Sequence, residues 1–295
     1  MKVSIREDGS ALSHGPDNWH AIDWRRVERN VRGMQIRIAK ATRKSDWRRV
    51  KALQRLLSRT LSAKLHAVRR VTQNQGARTA GVDRELWNSP ESRWQAVNRL
   101  TGRGYKPLPL RRIFIPKANG KERPLGIPTM RDRAMQALYL LALEPVSESM
   151  SDPNSYGFRL SRSTADAMSQ IFVAMSQKGS ARWVLEADIK GCFDHINHDW
   201  LENHVPMDRA ILRKWLKAGL IYKGQLQATE AGTPQGGIIS PTLANVTLNG
   251  LERELIAHLD AKFGIAKAKK LKVNVVRYAD DFVITGDSKR YWKTK

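Results

Sequence analysis

In the first third of the chain, apolar residues recur every three or four positions. Trp24, Val27, Val31, Met34, Ile38 and Ala41 fall on one face, which predicts an amphipathic helix. Its other face carries Arg25, Arg26, Arg29, Arg32, Arg37, Lys40, Arg43 and Lys44. A second stripe, Trp47, Val50, Leu53, Leu57, Leu61, Leu65 and Val68, predicts one further helix that Ser45 or Asp46 can cap and that ends in TQNQGAR. A short helix is expected from Ser89-Pro90 to near Gly102, with proline at its first position. The period then changes. LRRIFIPKANGKERPLGIP reads as strand, Asn119-Gly120 turn, strand. Thr129 can cap a long helix through Leu143, which Pro145 should end. Another helix is expected over 165–178. WVLEADIKGCF predicts a strand and turn, with a short helix following over 198–204. GTPQGGIISPTLANVTLNGLEREL predicts a Gly-rich loop feeding a helix, and KVNVVRYADDFVITG a strand pair with a tight turn. Helices first, then strands mixed with helices, predict an α+β fold.

Composition narrows the class. At 295 residues and 41% hydrophobic content the chain can bury a sizeable core. No apolar run approaches the ~20 residues of a membrane-spanning helix, and MKVSIREDGS lacks the apolar stretch of a secretory signal. The single cysteine, Cys192, excludes an internal disulfide and suits a reducing interior. A cytoplasmic location and no membrane partner are therefore expected. Charge alters the picture most. The net charge is +24, and it is unevenly placed: residues 1–133 carry 31 Lys and Arg against 11 Asp and Glu, residues 134–295 only 21 against 17. A field so concentrated favours a polyanionic partner, and basic helix faces suit phosphate contacts that position a nucleic acid without reading its sequence.

The acidic residues carry the candidate chemistry. Asp280 and Asp281 sit side by side between apolar, strand-like runs in VVRYADDFVI. Neighbours in a strand point to opposite faces, so the pair can meet only if the backbone turns, and residues 278–281 are the natural hairpin turn. Two ionised carboxylates at such range repel and need a cation; Arg277 is one candidate, a divalent metal the other. Asp188 ends another apolar strand in VLEADIKG. Three carboxylates gathered by adjacent strands would make a hard oxygen site suited to Mg²⁺, and two such ions can clamp an in-line phosphoryl displacement. Lys117, Lys121 and Arg123 flank the Asn119-Gly120 turn, either as a grip on a triphosphate or as an exposed charged hairpin. His195, His198 and His204 lack zinc spacing and read as structural, and Cys192 as a packing residue.

YADD resembles the Y-x-D-D box of reverse transcriptases. VLEADIKGCFDHI is similar to that family's other metal-binding block, TPQGGIISPTLAN to its nucleotide-pocket block, and YGFRLSRSTADA to its second block. LRRIFIPKANGKERPLGIPTMRDRAMQALYLLALEPV, with the basic helices before it, resembles bacterial group II intron reverse transcriptases, the intron-encoded maturases; retron, diversity-generating and CRISPR-associated lineages share YADD without this preface. The resemblance covers about residues 20–286. It implies a right-hand polymerase: a flexible tail over 1–20, a basic helical N-terminal extension over 21–106, fingers over 107–179 and an incomplete palm over 180–295. It also implies that the chain is shortened after the YADD block, with the thumb missing.

Carried over by position, Asp188, Asp280 and Asp281 are catalytic. With the Ile189 carbonyl they would hold two Mg²⁺ ions, Mn²⁺ being a substitute. Phe193 matches the aromatic gate that excludes a 2′-hydroxyl, and Gln235 the glutamine that touches the incoming nucleotide. Lys117, Lys121 and Arg123 would grip the triphosphate. Arg25, Arg29, Arg32, Arg37, Lys40, Arg111, Arg112 and Arg159 would meet nucleic acid, with Arg159 on template backbone. The implied partners are intron RNA, an RNA template with a DNA primer, and deoxynucleoside triphosphates. Oligomeric state stays open, a dimer among the states allowed. The runner-up reading is an RNA-binding maturase fragment that holds intron RNA without useful catalysis.

Overall fold

The computed structural model describes residues 19–116, 120–233 and 236–288. It opens with helix α1 (Trp24–Arg43), α2 (Trp47–Leu57), α3 (Leu61–Gln73) and α4 (Pro90–Arg99). Strands β1 (Leu110–Pro116) and β2 (Glu122–Ile127) form a hairpin, followed by α5 (Met130–Met150) and α6 (Thr164–Met175). Then come β3 (Trp183–Asp188), α7 (Cys192–His195), α8 (His198–His204), α9 (Arg209–Leu216), β4 (Leu220–Tyr222) and β5 (Gln225–Gln227). The chain continues through α10 (Ser240–Leu248), α11 (Leu251–Phe263), α12 (Ile265–Lys270), β6 (Asn274–Tyr278) and β7 (Asp281–Gly286). The α+β expectation holds. One sheet has the order β2-β1-β4-β5, with β1 and β4 parallel; the other is the antiparallel β3-β7-β6.

Local signals explain most element ends. Asp23, Ser89 and Thr129 cap α1, α4 and α5 through their side chains. The stripe read as one helix from Trp47 to Val68 is two. Thr60 accepts the Ala63 amide at 3.2 Å and donates to the Leu57 carbonyl at 2.9 Å, so it ends one helix and caps the next. The leucine spacing runs across the break because both helices face the same core.

Pro145 does not end α5, which runs on to Met150. A proline inside a helix leaves the carbonyl four residues earlier without its donor. Here that carbonyl, Leu141, accepts the side-chain amide of Gln35 on α1 at 2.9 Å. One residue on, the Ala142 carbonyl accepts Gln54 of α2 at 3.1 Å. α5 is buried almost all round, and α1, α2 and α3 pack against it. The main hydrophobic cluster gathers buried residues from Trp19 to Val146 and from Ile196 to Ala244. α9 docks through Trp215, whose indole N–H donates to Tyr105 Oη at 2.8 Å, while Tyr105 donates to the buried Asp132 at 2.6 Å. The smaller sheet is less covered: Trp183, Val184 and Leu185 of its outer strand β3 are exposed.

Gln35→Ala should destabilise the fold by about 1–3 kcal/mol, the cost of a buried carbonyl left without a donor. Pro145→Ala restores a backbone N–H, so the loss from Gln35→Ala should shrink in that background. Equal losses in both backgrounds by urea titration would reject this account of the helix.

Candidate active site

β3, β7 and β6 bring three carboxylates to one sheet end. Antiparallel register sets Asp188 directly opposite Asp281, and Tyr278 opposite Asp281 on the other side. Directly opposed residues put their side chains on the same face. Ala279 and Asp280 are then the two loop residues of the hairpin. The Ile189 amide donates to the Asp280 carbonyl at 3.3 Å, tying the β3 end to the turn. Ala279 has φ +59°. Glycine is the usual occupant where a two-residue hairpin loop demands positive φ at its first position, so this alanine is held in a strained conformation.

Arg277 supplies part of what holds it. This residue is buried, and its Nη1 donates to the Ala279 carbonyl at 2.8 Å and to Asn245 Oδ1 at 3.0 Å. Asn245 in turn donates to the Gly157 carbonyl at 2.8 Å. Segment 154–156 also runs along β6: the Arg277 amide donates to the Asn154 carbonyl and the Tyr156 amide to the Arg277 carbonyl, both at 2.9 Å. A Cβ on Gly157 would stand 2.3 Å from the Ala279 amide nitrogen and 2.9 Å from the Tyr278 carbonyl carbon. Only glycine lets these segments approach so closely. Three separate stretches, YGFR, SPTLAN and YADD, are thus locked by one buried network.

Arg277 Nη1 is therefore engaged by a carbonyl and an amide oxygen, and the residue forms no ion pair with Asp280 or Asp281. Among the described residues Asp188, Asp280 and Asp281 form no ion pair. Burial first, then the charges of Asp280, Asp188 and Glu186, push the Asp281 carboxyl above its ordinary value. Beside them burial, then Asp280, raises the Cys192 thiol. That suits a packing residue, and Cys192 is buried.

Around this end the other blocks close in. Phe158 of YGFR meets the Phe193 ring edge-on at 6.0 Å between centroids. The Thr233 amide donates to the Phe193 carbonyl at 2.7 Å, and the Gly232 amide to the Ile196 carbonyl at 2.8 Å. Farther along the same Gly-rich loop, Gly236 has φ +107°, and a Cβ there would stand 2.8 Å from the Gly126 carbonyl oxygen of β2. The basic hairpin, the Gly-rich loop and the Phe193 turn thus adjoin one another.

Known proteins share these blocks. The profile described as reverse transcriptase (RNA-dependent DNA polymerase) matches residues 115–294, and that of the N-terminal domain of reverse transcriptase matches residues 19–100. The chain belongs to the reverse transcriptase family. It is 35% identical over 255 residues to Protein YkfC of Escherichia coli, covering 74% of this chain and 66% of that protein. It is 38% identical over 206 residues to the group II intron-encoded protein LtrA of Lactococcus lactis, covering 67% and 34%. With an uncharacterized 91 kDa protein in the cob intron of Schizosaccharomyces pombe it shares 38% over 173 residues, covering 57% and 21%. The chain thus spans about two thirds of the first relative and a third of the second. The expected kinship with group II intron reverse transcriptases and maturases holds.

Within this reverse transcriptase the predicted site residues fall into groups. Asp188 and Asp281 are register partners across β3 and β7, and Asp280 precedes Asp281 in the turn. Among the described residues, no group of three or more His, Cys, Asp or Glu side chains is placed to hold a metal ion. The Ile189 carbonyl already accepts the Cys192 amide at 3.1 Å, which leaves one of its two lone pairs. Phe193 is half-buried against the core. Lys121 and Arg123 are exposed beside and on β2, while Lys117 and Gln235 lie outside the described residues. Arg25, Arg29, Arg32, Arg37 and Lys40 are exposed along α1. Arg111 is half-buried and donates to the Ala80 carbonyl at 3.1 Å, and its neighbour Arg112 is half-exposed.

Arg159 corrects the expectation of a template contact. Its side chain is only 5% exposed, it pairs with Glu148 at 2.5 Å, and it donates to the carbonyls of Asp152 and Ser155 at 2.8 and 2.6 Å. Its donors are used inside the fold. His198 is likewise structural, its ring nitrogen 2.8 Å from the Gly232 carbonyl, and His204 lies 2.8 Å from the Trp200 carbonyl and stacks on that indole. Sequence reasoning missed Asn245 and Gly157; their signal was present in the LAN and YGFR segments but carried no spacing that named a partner.

Gly157→Ala should cost about 1–3 kcal/mol or more by overpacking against the turn, and denaturant titration checks it; a neutral change would mean that this approach is not tight. For Asp281 the folded pKa is raised. Stability therefore falls as pH rises from about 3.9, the unfolded value, through the folded value, and the penalty is complete above it. Asp281→Asn should raise the melting temperature at pH 7 in metal-free buffer, with the gain shrinking as pH is lowered toward 4. A gain that persists undiminished at low pH would contradict the electrostatic cause.

Proposed function

We propose that the chain is an RNA-directed DNA polymerase of the group II intron type, which extends a DNA primer on an RNA template and also binds intron RNA in support of splicing. The observation that carries this reading is the pairing of Asp188 with Asp281 across β3 and β7, with Asp280 in the adjoining turn. These donors are hard oxygens. Their mutual repulsion is felt in the raised Asp281 carboxyl, no ion pair among the described residues relieves it, and oxygen donors of this kind suit Mg²⁺, which takes few carboxylates and leaves room for water and phosphate. Asp188, Asp280 and Asp281, with the Ile189 carbonyl, would hold two ions. Bound there, such ions lower the charge barrier between an attacking 3′-oxygen and a departing pyrophosphate.

The remaining residues act directly on substrate. Phe193 would lie under the sugar and crowd a 2′-hydroxyl. Gln235 would touch the incoming nucleotide where the Gly-rich loop lets backbone come close. Lys117, Lys121 and Arg123 would balance triphosphate charge. Arg25, Arg29, Arg32, Arg37, Lys40, Arg111 and Arg112 would follow a phosphate backbone.

The concentration of positive charge in residues 1–133 favours a second role, holding folded RNA independently of catalysis. Extension of oligo(dT) on poly(rA) should need Mg²⁺ and fall to background with Asp280→Ala, while salt-dependent binding of intron RNA stays unchanged in that variant. Product undiminished by Asp280→Ala would sink the catalytic reading. Intron RNA bound no better than random RNA of equal length would sink the maturase role.

A further inference from the structure

A cavity of about 830 Å³ lies away from the carboxylates. Its walls come from α2, the α2–α3 turn, α3, the loop after α4, α5 and the start of α9; none comes from β3, β6, β7 or the Gly-rich loop. Its volume is within the ~300–1,000 Å³ typical of small-ligand pockets. Lys51, Arg55, Arg59, Lys64 and Arg103 line it, and among the described residues none of these five forms an ion pair within 4.0 Å. The lining holds a single carboxylate, Asp208, and that one is engaged as the cap of α9, accepting the Ala210 and Ile211 amides at 3.0 and 3.2 Å.

The cavity also has an apolar floor. Leu138, Tyr139, Met207 and Ile211 lie at its base. Tyr139 is braced edge-on against Trp215 at 5.7 Å, and burial, ahead of the Asp208 charge, raises its hydroxyl pKa, so the phenol stays neutral. Gln54 points both amide hydrogens away, to the carbonyls of Ala142 and Pro206 at 3.1 and 2.8 Å, which leaves its amide oxygen as an acceptor on the wall. A basic rim over a floor with an aromatic ring, a polarisable methionine and one amide acceptor matches one ligand chemistry. That chemistry is a planar base joined to phosphate.

We infer that this cavity is a nucleotide-binding site separate from the polymerase centre, taking one unstacked nucleotide with its base against Tyr139 and Met207 and its phosphate among Arg55, Arg59 and Lys64. The nucleotide is that of a single RNA strand, since the cavity's Lys51 and Arg55 belong to the exposed basic face of α2 that also carries Arg48 and Arg49; a free nucleoside phosphate shares the chemistry. The inference stands apart from the polymerase reading, because its readout is binding and not product.

The test uses the whole 295-residue chain and a 5′-phosphorylated single-stranded oligoribonucleotide carrying one 4-thiouridine, crosslinked by near-ultraviolet light and mapped by mass spectrometry. Crosslinks are expected at the cavity residues Tyr139 or Met207. Ala210→Trp fills the cavity without changing charge and should abolish those crosslinks while overall affinity changes less than threefold. Arg55→Gln/Arg59→Gln/Lys64→Gln should lower the logarithmic salt slope of binding by about 2, at about 0.7 per lost single-strand phosphate contact. Persistence of the crosslink in millimolar ATP supports the strand; competition by ATP that Ala210→Trp removes supports the same site serving free nucleotide and overturns the assignment to a strand. Crosslinks confined to α1 or the carboxylate cleft, or indifferent to Ala210→Trp in a variant that melts like wild type, overturn the site altogether.

Discussion

The geometry of the carboxylate end rests on the bond from the Arg277 guanidinium to the Ala279 carbonyl. A tight turn between two strands would ordinarily employ glycine where Ala279 stands at φ +59°. The conformational cost is offset by a charged donor that is itself buried and cannot be left unpaired. Because the same guanidinium also holds Asn245, which holds Gly157, the turn cannot relax without disturbing two other stretches of chain. Pre-organisation of this sort keeps like charges together that would otherwise drift apart.

The division of charge in the molecule follows from this. A positive group placed among the carboxylates would neutralise them internally and leave nothing for a cation or a phosphate to complete. Arg277 avoids that by facing the turn's carbonyl, and Arg159 avoids it by pairing with Glu148. Exposed basic residues are numerous on α1, along the β1–β2 hairpin and around the α2–α3 cavity, and others stand on α11 and α12 and at Lys190 beside the β3 end. Negative charge is gathered at one sheet end while the molecule as a whole is strongly positive, an arrangement whose field favours polyanions.

Much of this was readable in the residues themselves. The β6–β7 hairpin, its turn at 278–281, the Asp188 strand end and the starts of α4 and α5 depend on local chemistry: alternation, capping hydroxyls, a proline at a helix start. What escaped depends on partners distant in sequence. The continuation of α5 past Pro145 needs an amide supplied by Gln35, 106 residues earlier than the carbonyl it meets. The interior fate of Arg159 needs Glu148, on the far side of a loop. The role of Gly157 needs the turn at Ala279, and a single glycine in YGFR announces nothing of it. The short β4–β5 hairpin and α9 are too brief for periodicity to mark them against the strong signals on either side.

The substitution of Gln35 for a missing backbone donor in α5 has an implication for how the molecule can be divided. A helix with an intact ladder is self-sufficient and can be excised with its layer. This one has surrendered a rung and borrows it from the basic N-terminal layer, so the two are complementary halves of a single hydrogen-bond pattern. Cutting between them would uncover bare carbonyls on one side and unclaimed amides on the other, which makes the basic N-terminal helices and α5 inseparable as a folding unit.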